Sequence, residues 1–209
     1  MARPRLLTRE RIVDAAAALV DAEGLDAVSV RRLAAELGVQ GPSLYNHFAT
    51  KNEILDAVAD AVVAQVDVSF FRTHDWRAAL RLWAHSYRAV LSAHPNVVPM
   101  LAHGPGRRPA ALAMADAVYG GLIDAGWPEA RATHIGALMR YLVTGSALGS
   151  FALGFAGDPQ LYEHYPHLQQ AHLLAEHQHS VDEGAFTLGL DMLIAGLDRL
   201  YATAKGVSA

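Results

Sequence analysis

Apolar residues recur along almost the whole chain at steps of three and four, the spacing of one face of an α-helix, and nowhere alternate as in a half-buried strand. Between Thr8 and Gly24 the positions Ile12, Ala15, Ala16, Leu19 and Val20 mark a first helix, and Gly24 stands where a helix ends. Ser29 is a capping residue for a second, short helix whose apolar face is Val30, Leu33, Ala34 and Leu37 and which Gly38 stops. After Gly38-Val39-Gln40, Pro42 suits the first turn of a third helix. That helix must be short, because Thr50-Lys51-Asn52-Glu53 is a capping box for a fourth, with Ile54, Val58, Val62 and Gln65 or Val66 inward.

Further helices are expected over residues 76–93, 109–125, 128–155 and 183–204, with a long polar connection over 156–182. The pattern predicts an all-α fold. A three-helix N-terminal domain spans 1–50, helix four links over 51–68, and a larger helical domain fills 69–209.

Two short helices joined by a three-residue turn that opens with glycine form a helix-turn-helix, whose second helix enters the major groove of DNA. The third helix suits that task. Leu44 and Phe48, four apart, can anchor it inward, which leaves Ser43, Tyr45, Asn46 and His47 to project outward. These are hydrogen-bonding side chains fit for phosphates and base edges.

Composition agrees with a globular chain: 209 residues, 52% hydrophobic, supply a sizeable core. The formal net charge of −4 argues against non-specific nucleic-acid binding by the whole chain, but residues 1–51 hold seven Arg/Lys against six Asp/Glu while the remainder is acidic. The absence of cysteine excludes a disulfide framework and a thiolate zinc site. Met1 to Thr8 lacks the apolar stretch of a signal peptide, so the cytoplasm is the expected compartment. The uncharged run from Tyr141 to Gly157 is broken by Gly145, Ser146, Gly149, Ser150 and Gly154, and reads as a helix buried in an interface rather than as a membrane span.

The chain resembles the TetR family. The resemblance is carried by Ile12-Val13-Asp14-Ala15-Ala16, Gly24, Val30-Arg31-Arg32-Leu33-Ala34, Leu37-Gly38-Val39, Leu44-Tyr45-Asn46-His47-Phe48 and Lys51, and again by Phe186, Gly189, Leu190, Leu193, Ile194, Gly196 and Leu197 near the C-terminus. It implies a homodimeric transcriptional repressor, released from a palindromic operator by a small effector. By the same resemblance Arg31, Pro42, Ser43, Tyr45, Asn46, His47 and Lys51 face DNA, with Tyr45, His47 and Lys51 on phosphates and Arg31, Ser43 and Asn46 nearer the bases. Gly41 stands where members often present a base-reading side chain.

In the second domain Ile135, Leu138, Leu142, Gly145, Gly149 and Ala152, and Phe186, Leu190, Leu193, Leu197 and Leu200, step at about 3.5 residues, the seam of helices packed on helices. The expected dimer interface therefore holds Leu142, Gly145, Gly149, Leu190, Leu193 and Leu197, unless both seams face the core of one subunit. Trp83 and Tyr87, four apart, can form an aromatic wall with Met100, His103 and Met139 as partners in an apolar, metal-free effector site. A tetracycline–magnesium site in the resembling family uses histidine and glutamate ligands, whereas this chain offers Pro99 or Met100 and no carboxylate near Gly149.

Two other classes compete. An all-α enzyme would have to use His103-Gly104-Pro105-Gly106, where Pro105 lacks the N–H an oxyanion loop needs and no Gly-x-Ser-x-Gly elbow exists. A constitutive DNA binder would not need so large a second domain. The histidines at 164, 167, 172, 177 and 179 suggest metal, but His172 and His177 lie roughly 140° apart around a helix, so no cofactor is expected.

Overall fold

The computed structural model describes residues 6–101 and 107–204. Within them the chain forms ten α-helices joined by turns of 3₁₀ helix, with no strand. They are α1 (Arg9–Glu23), α2 (Val30–Leu37), α3 (Gly41–Tyr45), α4 (Lys51–Val63), α5 (Phe70–Thr73), α6 (Trp76–Ala93), α7 (Val98–Leu101), α8 (Pro109–Asp124), α9 (Glu129–Ala147) and α10 (Gln178–Ala204).

The first four helices start and stop where local chemistry dictates. Thr8, in extended backbone, accepts from the Arg11 N–H at 3.3 Å and opens α1. Ser29 does the same for α2 through the Arg32 N–H at 3.2 Å. Gly38 closes α2 in the left-handed region at φ 66°, ψ 34°, while the Val39 N–H returns to the Ala34 carbonyl at 2.9 Å. A side chain there would cost conformational strain. Thr50 accepts from the Glu53 N–H at 3.2 Å, and the Glu53 carboxylate accepts in turn from the Ala49 N–H at 2.9 Å.

The later elements depart from the sequence pattern. The helix expected to reach residue 155 stops at Ala147, where the Leu148 N–H turns in to the Gly145 carbonyl and Ser146 Oγ bonds the Val143 carbonyl at 2.8 Å. Ser150 Oγ then accepts from the Leu153 N–H and opens a 3₁₀ turn over Ala152–Phe155. The long polar connection expected over 156–182 holds two more such turns, Pro159–Tyr162 and Ala171–His177, and α10 begins at Gln178 rather than 183. Tyr162 OH donates to the Phe155 carbonyl at 3.1 Å, and the Phe155 ring lies 5.2 Å from that of Phe151.

The chain divides into two compact units, Met1–Val68 with Ala89–Ala117, and Ser69–Arg88 with Val118–Ala209, so α6 and α8 each contribute residues to both. In the first unit α1 packs on α2 and α4 and α2 packs on α3, around Ile12, Val20, Leu33, Leu44, Phe48, Ile54 and Val58, all at most 2% exposed. The segment after α6 is tied to the end of α1: Asn96 donates to the Val20 carbonyl at 2.9 Å, and His94 Nδ1 lies 3.0 Å from the Asp21 carboxylate. In the second unit the core is aromatic at one end, where Trp76, Trp127 and Tyr201 meet with ring centroids 5.1–5.4 Å apart. Arg77, Arg81 and Arg88 of α6 pair with Asp198, Asp191 and Glu183 of α10. Partners descend along one helix as they ascend along the other, which makes the pair antiparallel.

Candidate nucleic-acid interface

α3 has only five residues, too few for its own hydrogen bonds to hold it. Its neighbours do so instead. Leu44 and Phe48 are buried in the first unit, and the His47 and Phe48 N–H groups both return to the Leu44 carbonyl, at 3.0 and 3.1 Å. The Arg9 guanidinium of α1 lies 3.9 Å from the Phe48 ring centroid and donates to the His47 carbonyl, so α1 pins the end of α3. Sequence reasoning missed Arg9. Nothing local marks it, because its partners His47 and Phe48 lie 38 and 39 residues away.

With the inner side held, the outer side is free. Tyr45 is 57% exposed, Asn46 and Pro42 are exposed, and Ser43 and His47 are half-buried. Arg31 and Lys51 flank them at the start of α2 and of α4, exposed and half-buried respectively. The two neighbouring arginines of α2 divide their work. Arg32 pairs with Glu23 of α1, with Nη1 2.7 Å from the carboxylate, and this hydrogen bond holds the Glu23 carboxyl below the usual range. Arg31 has no partner among the described residues. All seven residues expected at the DNA face thus lie on α2, α3, the turn after α3, or the first residue of α4.

The second-unit candidates are less uniform. Trp83 and Tyr87 are buried with ring centroids 5.7 Å apart, Phe71 lies 6.1 Å from Trp83, and Met139 is fully buried. Trp83 Nε1 and Thr144 Oγ1 are buried and have no hydrogen-bond partner among the described residues. Met100 belongs to the first unit and is half-buried, and His103 lies outside the described residues. Among the described residues no group of three or more acidic or histidine side chains is placed to hold a metal ion, and no helix is long and apolar enough to cross a membrane.

The seam expected at the dimer interface is divided by the structure. Leu190 and Leu197 are 0% and 7% exposed within the single chain, together with Phe186 and Ile194, and they form the inward face of α10. Both therefore pack within their own chain, the alternative that the sequence left open for these seams. Leu142 and Leu193 are half-buried, Leu142 lying over Gly189, while Gly145 and Gly149 are exposed. The exposed apolar stripe is a different one: Leu138, Tyr141 and Leu148 on and just after α9, and Leu188, Met192 and Leu200 on α10. Tyr141 also lines a groove of ≈ 380 Å³ in the second unit, with Leu142, Phe151 and Phe186 and the polar Ser146 and Asp182.

Residues 12–58 match the family described as bacterial regulatory proteins, tetR family, and residues 72–201 match the tetracyclin repressor-like C-terminal domain. The chain belongs to the TetR family. Members of this family are transcriptional regulators, and this chain is one of them, with an N-terminal helix-turn-helix. The class C tetracycline repressor protein of Escherichia coli is 32% identical over 96% of this chain and 95% of its own length. ActR of Streptomyces coelicolor, solved with actinorhodin, superposes with a TM-score of 0.72 at 30% identity, covering 98% of this chain and all of that one. A TetR variant of Acinetobacter baumannii AYE, solved with minocycline, gives 0.69 at 29% identity over 93% of this chain and 98% of that one.

Proposed function

We propose that this TetR-family regulator is a homodimeric repressor that holds a palindromic operator and leaves it when a small, largely apolar effector binds. The observation that carries the reading is the outward row of Ser43 and Tyr45 on the anchored α3 and Asn46 just after it, flanked by Arg31 and Lys51, which have no partner among the described residues. In this reading residues 1–50 are the DNA-contacting head, α4 is its link, and residues 69–209 bind effector and partner. Tyr45, His47 and Lys51 contact phosphates, while Arg31, Ser43 and Asn46 lie nearer the bases, with Pro42 setting the first turn.

The apolar stripe of Leu138, Tyr141, Leu148, Leu188, Met192 and Leu200 supports the dimer, because a second copy is what removes such a stripe from water. Leu142, Gly145, Gly149 and Leu193 border it, the glycines permitting close approach. The effector reading rests on Trp83, Tyr87 and Met139, and on the relatives that hold actinorhodin and minocycline. A difference of about 3 kcal/mol in effector affinity between the two states would weaken DNA binding by about two orders of magnitude.

Selection of bound duplexes from a random pool by the full chain tests the reading. It should return an inverted repeat, with half-sites about one or one and a half helical turns apart. Enrichment of no repeat at any salt concentration would overturn it.

A further inference from the structure

Helix α8 lacks a cap of its own. The Leu112 N–H bonds the Arg108 carbonyl at 3.0 Å, which puts Arg108 at the N-cap position, where a serine, threonine, aspartate or asparagine would ordinarily accept from the first free amides. An arginine cannot accept, and its charge meets the positive end of the helix dipole. Pro109, at the first helical position, has no N–H to satisfy, so the orphan donors begin at Ala110 and Ala111.

Both are satisfied from another helix. Asp60 Oδ1 of α4 accepts from the Ala110 N–H at 2.9 Å and the Ala111 N–H at 3.2 Å. One turn earlier on α4, Asp56 Oδ1 takes the Arg108 Nε–H at 3.1 Å, and the same guanidinium reaches the Met100 carbonyl of α7 at 3.2 Å. Asp56 and Asp60, four residues apart, share one face of α4. That face carries both the cap that α8 lacks and the counter-charge for the arginine standing in its place. The N-terminus of α4 meanwhile begins at Lys51, directly after the recognition segment, and α4 packs along α1.

We propose that Asp60 is a positioning residue that makes the first turn of α8 conditional on the placement of α4, and so joins α8 to the DNA-contacting helices. The proposal rests on the regulatory reading above and supplies its mechanical joint. A displacement of α4 along its axis by even part of a turn separates the carboxylate from both amides, and the first turn of α8 then either frays or follows. Linkage makes the joint reciprocal: operator DNA that fixes α4 must also steady the start of α8.

Amide hydrogen exchange over residues 110–114 of the full chain, free and bound to the selected duplex, tests this. In the wild type, bound duplex should slow exchange there. Asp60→Ala should speed exchange about tenfold and remove the dependence on DNA, whereas Asp60→Asn, which can still accept from both amides, should keep most of each. The decisive variant is Asp60→Ala with Arg108→Ser, which gives α8 a cap of its own. Its first turn should regain wild-type protection in the free protein yet stay indifferent to DNA. Unchanged exchange in Asp60→Ala, or a response to DNA that survives in the double variant, would overturn the proposal. Should no duplex be recovered by selection, the DNA reading fails by itself, and the comparison of free wild type, Asp60→Ala and the double variant still decides whether Asp60 caps α8.

Discussion

The shortest interior helix that the function needs and the longest helix in the chain solve opposite problems. α3, five residues long, owes its place to others: Leu44 and Phe48 beneath it, Gly38 before it, and Arg9 of α1 across its end. Because its inner side supplies all the anchoring, its outer side is free to be polar. α10, with 27 residues, commits two sides of itself, Phe186, Leu190, Ile194 and Leu197 to the core and Glu183, Asp191 and Asp198 to the arginines of α6. Its exposed large apolar side chains are Leu188, Met192 and Leu200. Each helix therefore leaves one side unclaimed by its own chain. The chemistry of that side names its partner: hydrogen-bonding groups for nucleic acid, an apolar stripe for a second protein surface.

The comparison is broken most severely by charging the apolar stripe. Leu188→Asp with Met192→Asp should leave each chain folded, because both residues are exposed, yet place carboxylates where the dimer must be dry. Sedimentation should show monomers, and operator titration should show affinity lower by at least about two orders of magnitude. A double variant that stays dimeric would place the interface elsewhere. Leu190→Asp is the contrasting change. It should unfold the second unit, since Leu190 lies in the core.

A smaller effect sharpens the polar side of the comparison. Lys51→Ala should weaken binding to every sequence by about tenfold and reduce the slope of log affinity against log salt concentration by about one. Binding curves measured across a salt series on the selected duplex and on an unrelated one check it. A loss confined to the selected duplex would make Lys51 a base contact instead.

The first four helices were legible because their signals are local. Thr8, Ser29 and Thr50 as caps, Gly24 and Gly38 as stops, and the Leu44–Phe48 pair each act within a few residues of themselves. The end of α9 was not legible, since a run of apolar and small residues continues past Ala147 while the backbone turns in on Gly145. Nor was the orientation of α10. Leucine, methionine or phenylalanine occurs on every side of it, so periodicity found a seam at Leu190, Leu193 and Leu197 without showing that Leu190 and Leu197 face inward. Arg9 over Phe48 and Asp60 beneath α8 act over 39 and about 50 residues of chain, and no spacing rule reaches that far.

Footprinting the selected duplex with the wild-type chain tests the central claim most directly. A dimer that presents two copies of α3 should protect two patches on one face of the DNA, in successive major grooves and related by the symmetry of an inverted repeat. A single continuous patch, or protection without two-fold symmetry, would contradict the account.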